Sequence, residues 1–458
     1  MKKNAILTLG AALVLSLASL PSLAELSANE IARLGRDLTP VGGEMAGNAE
    51  GTIPPWTGGI RSAAEAGFPD YQSGSHYLDP YQDEKPLFTI TAANMDQYAD
   101  KLTEGQQAML AQYPSFSMKV YPTHRSAAYP QLVYDAIRER AADTRLNETG
   151  NGVLGAAVGI PFPIPKNGLE AIWNHILRYR VTDVSRVMVQ TPVLRNGDFT
   201  LVRMEETTKT LYTDPAATPE NLNNLIFKYK LSITAPPRQA GTILLIHETQ
   251  DQTLEPRRAW MYNPGQRRVR RAPNAAFDNP SVGSDGLSTM DQFDIYNGSP
   301  ERYDWKLVGK KEIYVPYNDY RLKSSELKYT DIIKPLHLNP EHLRYELHRV
   351  WVVEATVKEG VRHIYKRRTF YLDEDSWQAV HVDQYDNRDQ LWRVSEAYPI
   401  AFYELPGFYS AVDAHYDLQS GRYIVVGLTN EEESSFVFDF DNPESNYTVS
   451  SLRRDGKR

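Results

Sequence analysis

Between Arg344 and Ala397 four β-rich runs follow one another with almost nothing between them. They read "RYELHRVWVVEATV", "RHIYKRRTFYL", "SWQAVHVDQY" and "QLWRVSEA", broken only by "KEG", "DED" and "DNRD". Breaks this short leave no room for the crossover that a parallel pair needs, so the runs are predicted to form an antiparallel meander. The same language begins after about Val181. "RVMVQTPVLRNGDFTLVRMEET" turns at Asn196-Gly197, a dipeptide well suited to a tight hairpin. "RRAWMYNPGQRRVRRAP" turns at Pro264-Gly265, which are expected at the centre of a type II turn. "DAHYDLQSGRYIVVGL" is predicted to be one more hairpin. No run alternates with a helical one, which disfavours a parallel βαβ layout.

Helical signals lie upstream. "SANEIARLGRDL" opens on Ser27 with Glu30 three residues on, a capping box, and is expected to run to Pro40. "AANMDQYADKLTEGQQAMLAQYP", "YPQLVYDAIRERAADTRLN" and "NGLEAIWNHILRYR" are predicted helical pieces. The expected fold class is mainly β (α+β): one large, strongly curved antiparallel sheet with the N-terminal helices packed on it. Residues 25–458 are expected to form a single domain; a split near residue 180 is the alternative.

The first 24 residues combine a basic "MKK", an apolar core and small residues at Ser22 and Ala24. That pattern is a secretory signal peptide cut before Glu25; the apolar core is too short for a membrane anchor. The chain has no cysteine, hence no lipoprotein acylation site, no disulfide framework and no thiol chemistry. These features fit a Gram-negative periplasm. Losing Lys2 and Lys3 takes the formal charge from −8 to −10, which gives no general attraction to nucleic acid. The 28 tyrosines against 14 phenylalanines suit surfaces with one dry and one wet side.

A search for catalytic chemistry finds little. G-x-S-x-G, H-E-x-x-H and phosphate-loop patterns are absent. The ten histidines are scattered. His342 and His348 are six apart, a spacing that keeps one strand face but makes no obvious chelate, and His363 and His381 are candidates to pair across strands. Ordinary sheet histidines are the favoured account, so neither metal nor cofactor is expected. "YLDEDSW" looks like a charged hairpin turn, and "FDFDNPESN" resembles half a calcium loop without its turn glycine and terminal glutamate.

Three apolar or basic features invite a binding role. Residues 152–175, "GVLGAAVGIPFPIPKNGLEAIWNH", hold Ile160, Phe162 and Trp173. The stretch reads equally as a loop tucked under the helices or as an apolar flap at a cavity mouth. Five of the seven tryptophans fall between Trp260 and Trp392. Trp260 with Tyr262, and Trp351 with Val353, share strand faces that suit either a packed core or a greasy concave wall. "RRVRRAP", with Arg268 and Arg270 on one strand face, is basic in an acidic protein. Pairing with Asp278, Asp285 and Asp291 is the favoured account; contact with anionic head groups is the alternative.

Several long stretches together resemble the periplasmic family called domain of unknown function 1329. They are "LTPVGGEMAGNAEGTIPPWTGG" (residues 38–59), "VYPTHRSAAYP", "PFPIPKNGLEAIWNH", "YNPGQRRVRRAPN", "YDWKLVGKKEIYVPYN", "RVWVVEATVKEGVRHIYKRRTFYLDEDSW" and "YDNRDQLWRV". That family is similar to the LolA-like carriers that sort outer-membrane lipoproteins. The resemblance implies an incomplete antiparallel β-barrel around an apolar cavity, with helices as its lid. It also implies work beside a resistance-nodulation-division (RND) exporter and an outer-membrane protein, and it supplies no catalytic residue. Lacking an acylated N-terminal cysteine, the chain would be a soluble shuttle. On this fold the glycine-rich 38–59 stretch is expected to cross the rim, stiffened at Pro54-Pro55 and pinned by Trp56.

The leading expectation is therefore a periplasmic carrier for a lipid or lipidated molecule. Its expected contacts are Trp56, Ile160, Phe162, Trp173, Trp260, Tyr262, Trp351 and Val353, with Arg268 and Arg270 for a head group. The alternatives are a lipid or ester hydrolase using His348 or His363, and an export-complex adaptor whose barrel is filled by its own side chains.

Overall fold

The computed structural model describes residues 26–456 apart from 182, 273–274 and 439. The segment expected to be a signal peptide lies outside the described residues. Sixteen strands form one open sheet. Its centre is two meanders joined side by side. The first runs Tyr345–Val357, Arg367–Asp373, Ala379–Tyr385, Leu391–Ala401, Phe408–Asp417 and Arg422–Leu428. The second runs Val184–Val193, Val202–Thr210, Leu225–Ala235, Ile243–Thr249, Arg258–Asn263 and Arg268–Arg271. They meet where Arg422–Leu428 pairs antiparallel with Val184–Val193. Tyr303–Pro316 covers the free side of Tyr345–Val357. A single parallel pairing, Tyr345 with Val120, interrupts an otherwise antiparallel sheet. The sheet is not closed into a barrel.

The expected meander and hairpins are present. The chain turns at Gly197 and at Gly421 with φ of 91° and 67°, conformations that glycine adopts without a Cβ penalty. Two local expectations are corrected. Arg267 takes the left-handed conformation between Arg258–Asn263 and Arg268–Arg271, with φ of 52°, and Gly265 does not, so the turn is not type II. The first helix covers only Ala28–Ile31, although Ser27 and Glu30 form the expected capping box. A cap satisfies the first turn but supplies no buried face to extend it, and no residue of this helix is buried.

The longer helices sit where an apolar face can be buried. Glu104–Gln112 lies against Leu391–Ala401 and Ala379–Tyr385, and Gly168–Leu177 against Tyr303–Pro316 and Tyr345–Val357. Ala379–Tyr385 is buried along its whole length rather than alternately, as a strand covered on both faces is. The 38–59 stretch is laced to the sheet by polar contacts. Arg125 donates to the carbonyl of Glu44 at 2.7 Å, and the Glu44 amide donates to Glu374 at 3.1 Å. Gly42 has φ of 91°, and a Cβ there would stand 1.7 Å from the Pro163 carbonyl oxygen. That close approach is why residue 42 is glycine. Trp56 is half-buried and donates its indole N–H to the Ala127 carbonyl at 3.2 Å.

Candidate functional site

The second meander supplies a concave wall by simple alternation. Arg186, Met188 and Gln190 on one strand, Met204 and Glu206 on the next, then Phe227, Tyr229 and Leu231, then Leu244, Ile246 and Glu248, all point to one side. Tyr409, Asp413 and Val426 continue that wall on the first meander. A segment without regular strands, 281–297, crosses over it and contributes Met290, Phe293, Asp294 and Asn297. Wall and roof enclose a cavity of about 160 Å³. A smaller hollow of about 70 Å³ adjoins it, bordered by Ile176 and Leu177 from the end of the Gly168–Leu177 helix. Phe227, Phe293 and Tyr409 border both. Phe293 remains 37 % exposed, an unusual state for a ring at the mouth of an apolar space.

The polar groups around this cavity are mostly paired off. Arg186 is bonded to Glu206, which also accepts from the Tyr229 hydroxyl at 2.6 Å. Arg257 pairs with Glu248 at 2.5 Å. Arg178 and Arg180 both bond Asp294, each at 2.6 Å. Burial works to raise the Asp294 carboxyl, but the two guanidiniums hold it well below the usual carboxylate range. Asp413 differs. Among the described residues its side chain accepts from the Ser410 hydroxyl alone, at 2.5 Å. Burial, with the Asp294 charge nearby, pushes it up to about 7. The arrangement is a greasy hollow with its charges internally neutralised and one acid that is half protonated near neutral pH. It can take up an apolar group.

The residues singled out from sequence lie elsewhere in the fold. Trp173 is fully buried and donates to the Gly150 carbonyl at 3.0 Å. Ile160 and Phe162 belong to the main core; the Asn174 side chain clamps Phe162 by its amide at 2.8 Å and its carbonyl at 2.6 Å. The 152–162 stretch is therefore the tucked loop. Val353 is buried in the same core, and Trp351 stacks on Trp377 with ring centres 5.9 Å apart. Trp260 and Tyr262 face away from the cavity, beneath the Val449–Asp455 helix with Tyr447 and Leu452. None of these, nor Trp56, borders the two hollows.

The basic run is also corrected. Asp278 pairs with Arg302, Asp285 with Arg422, and Asp291 with Arg368 and His363. Arg268 and Arg270 instead stand exposed on the edge strand. The cavity residues that sequence reading passed over had a signal: "FKYKLSI" alternates Phe227, Tyr229, Leu231 and Ile233 with polar neighbours.

His363 and His381 do not pair. His363 meets Asp291 at 3.1 Å. His381, fully buried, lies 2.8 Å from Asp383 and 3.4 Å from Glu396, with the Thr103 hydroxyl at 2.8 Å and the Tyr371 ring edge-on. Burial alone would lower its imidazole, but Asp383 and Glu396 carry it up to about 9. A folded-state value above the ordinary 6.5 means stabilisation that is complete below pH 6.5 and lost as pH rises through about 9. Stability is expected to fall by on the order of 3 kcal/mol across that window. Urea midpoints between pH 6 and 10 should show the drop in the native chain and lose it in His381→Gln; a flat native profile would refute the assignment.

Taken by its geometry, the protein is an open, mainly β sheet curved around an apolar hollow and roofed by an irregular segment. Residues 89–453 match the family described as "Protein of unknown function (DUF1329)". The uncharacterized protein PA3922 of Pseudomonas aeruginosa is 50% identical over 461 residues, covering 100% of both chains. The chain belongs to the DUF1329 family. Solved structures of similar shape are far more distant. A Vibrio parahaemolyticus domain named for outer membrane lipoprotein sorting is 16% identical, over 63% of this chain and 98% of its own, with a TM-score of 0.43. A DUF1329 family protein from Desulfovibrio piger is 15% identical, over 60% and 92%, with a TM-score of 0.38. The LolA superfamily protein NE2245 of Nitrosomonas europaea is 12% identical, over 63% and 100%, with a TM-score of 0.38. Among the described residues no helix is long and apolar enough to cross a membrane.

Proposed function

We propose that this chain is a periplasmic carrier that binds the apolar end of a lipid or lipidated molecule in the 160 Å³ cavity. The cavity carries the reading, because its walls are largely apolar and the arginines around it are already paired with acids. An engineered apolar cavity of about 150 Å³ stays dry and accepts benzene, so this one has room for a ring or the last few methylenes of a chain. Exposing an acyl chain of about 15 methylenes to water costs on the order of 12 kcal/mol, which is why such cargo needs a shielded route between membranes. A longer guest enters only if the 281–297 roof lifts, and the exposed Phe293 ring marks where it would do so. Handover to an RND-type exporter and an outer-membrane partner completes the proposal.

Fatty acids of increasing length, competing with N-phenyl-1-naphthylamine, test it. Affinity should rise about fourfold per methylene until the hollow is filled and then level off. Met204→Trp, which puts an indole into the cavity, should abolish probe binding with the far-UV spectrum unchanged. Equal binding by both proteins would sink the cavity assignment. Native mass spectrometry of protein from its own host should release the guest intact. Product formed over many turnovers would instead mean a hydrolase, and an empty cavity with exporter capture would mean an adaptor.

A further inference from the structure

Two motifs left unabsorbed by the carrier reading, the Gly42-Gly43 stretch and "YLDEDSW", converge on one buried cluster. Its members are His348 on Tyr345–Val357, Asp373 at the end of Arg367–Asp373, and Asp375 in the turn that follows. One ligand atom from each lies within 4.8 Å of the others. All three are buried, at 1%, 0% and 3% exposure. Gly43 packs onto the turn so tightly that a Cβ would sit 3.0 Å from an Asp375 carboxylate oxygen.

Most acids here have a cation. Arg344 pairs with Glu346 at 2.6 Å. Arg125 grips Asp375 with two bonds of 2.7 and 2.6 Å. Arg349 and Lys310 meet Glu374 at 3.0 and 2.9 Å. Among the described residues Asp373 has neither lysine nor arginine beside it. Its Oδ2 accepts from the hydroxyls of Ser376 at 2.5 Å and Tyr317 at 3.2 Å, and its buried Oδ1 has no hydrogen-bond partner. That orphaned oxygen faces His348 Nδ1 at 3.8 Å, too far for a hydrogen bond. The other ring nitrogen, Nε2, lies 3.2 Å from Glu346, and the Tyr317 ring stacks on the imidazole at 3.7 Å. A histidine that donates one N–H to a carboxylate presents the other nitrogen as a lone pair, which is how metal-ligating histidines are usually held.

We propose that His348, Asp373 and Asp375 bind one divalent transition-metal ion of the zinc class, with Glu346 orienting the imidazole. Ligands at ~2.1 Å around a tetrahedral ion stand about 3.4 Å apart, so the 3.8 Å gap between His348 and Asp373, and cluster separations of up to 4.8 Å, must close as the ion binds. One imidazole and two carboxylates suit Zn²⁺ over Mg²⁺, which prefers an all-oxygen octahedron. Buried this deeply, the ion is structural: it ties the central strand to the turn on which Gly43 packs, and it enters as the chain folds.

The mature protein, unfolded in urea with chelator and refolded with equimolar Zn²⁺ or with chelator alone, tests this. Expected are one zinc per chain after gel filtration, a melting temperature several degrees above the chelated sample, and an X-ray absorption shell of nitrogen and oxygen with one imidazole. Asp373→Asn and His348→Gln should refold yet retain no zinc above background, while His342→Gln retains it. Zinc absent from the native chain, equal retention by the two cluster variants, or a preference for Mg²⁺ would each overturn the proposal. Should both variants fail to fold, Co²⁺ taken up by the native chain must give the visible bands of a four-coordinate N/O site; their absence would overturn it as well. Neither result bears on guest binding in the cavity.

Discussion

Asp294→Ala is expected to destabilise the protein by about 3–5 kcal/mol, the cost of stripping a buried ion pair of one partner. Arg178 is fully buried and Arg180 partly so, and the Asp294 carboxylate serves both. Without it two like charges face each other in a dry site. Arg178 keeps bonds to the His175 carbonyl and Gln378, each at 2.6 Å, but these oxygens carry no compensating charge. His175 supplies no negative charge either: burial and the Arg178 charge hold its imidazole down at about 3, so it is neutral. Replacing all three members, Arg178→Met and Arg180→Met with Asp294→Leu, should recover much of the loss, since buried charges exchanged together for apolar groups are often neutral. Urea midpoints of the single and triple variants measure both effects. A single-variant loss below about 1 kcal/mol would mean the guanidiniums reach water when the acid is gone. Because Asp294 also belongs to the roof, the single variant should bind a fluorescent apolar probe more weakly as well.

The strand order of the first meander was legible because its breaks were too short for anything but antiparallel return; in the second only the hairpins at Asn196-Gly197 and Pro264-Gly265 were, since 14 residues separate Thr210 from Leu225. The join between meanders was not, because Val184–Val193 and Arg422–Leu428 are far apart in sequence and carry no local mark of each other. The cavity divides the same way. Its wall obeys a period of two that "FKYKLSI" displays, yet alternation cannot say which face of a two-sided sheet is filled and which is hollow. Tryptophans were a poor guide for the opposite reason. A large ring packs wherever apolar surface must be closed, and Trp173 and Trp260 close two different cores. The run at Arg268 and Arg270 misled in a third way: nearby acids in sequence found other partners in space, Arg302 and Arg368 among them.

Trp377 offers the sharpest test of how the 38–59 stretch is held. Its side chain is fully buried, stacks on Trp351, and donates its indole N–H to the Val41 carbonyl at 2.9 Å. Trp377→Ala should therefore cost about 3–5 kcal/mol through the cavity left and the orphaned carbonyl. The backbone adds a distinguishing feature. Trp377 has φ of 61°, a left-handed conformation that costs an L-residue about 1 kcal/mol and glycine almost nothing. At an ordinary position glycine is worse than alanine; here Trp377→Gly should be the more stable of the two variants by about 1 kcal/mol. Both should also make the backbone near Val41 cleavable by protease before the sheet unfolds, since the indole is its tie to the turn. If glycine proves less stable than alanine, the left-handed conformation at this position is wrong, and with it the geometry that aims the ring at Val41.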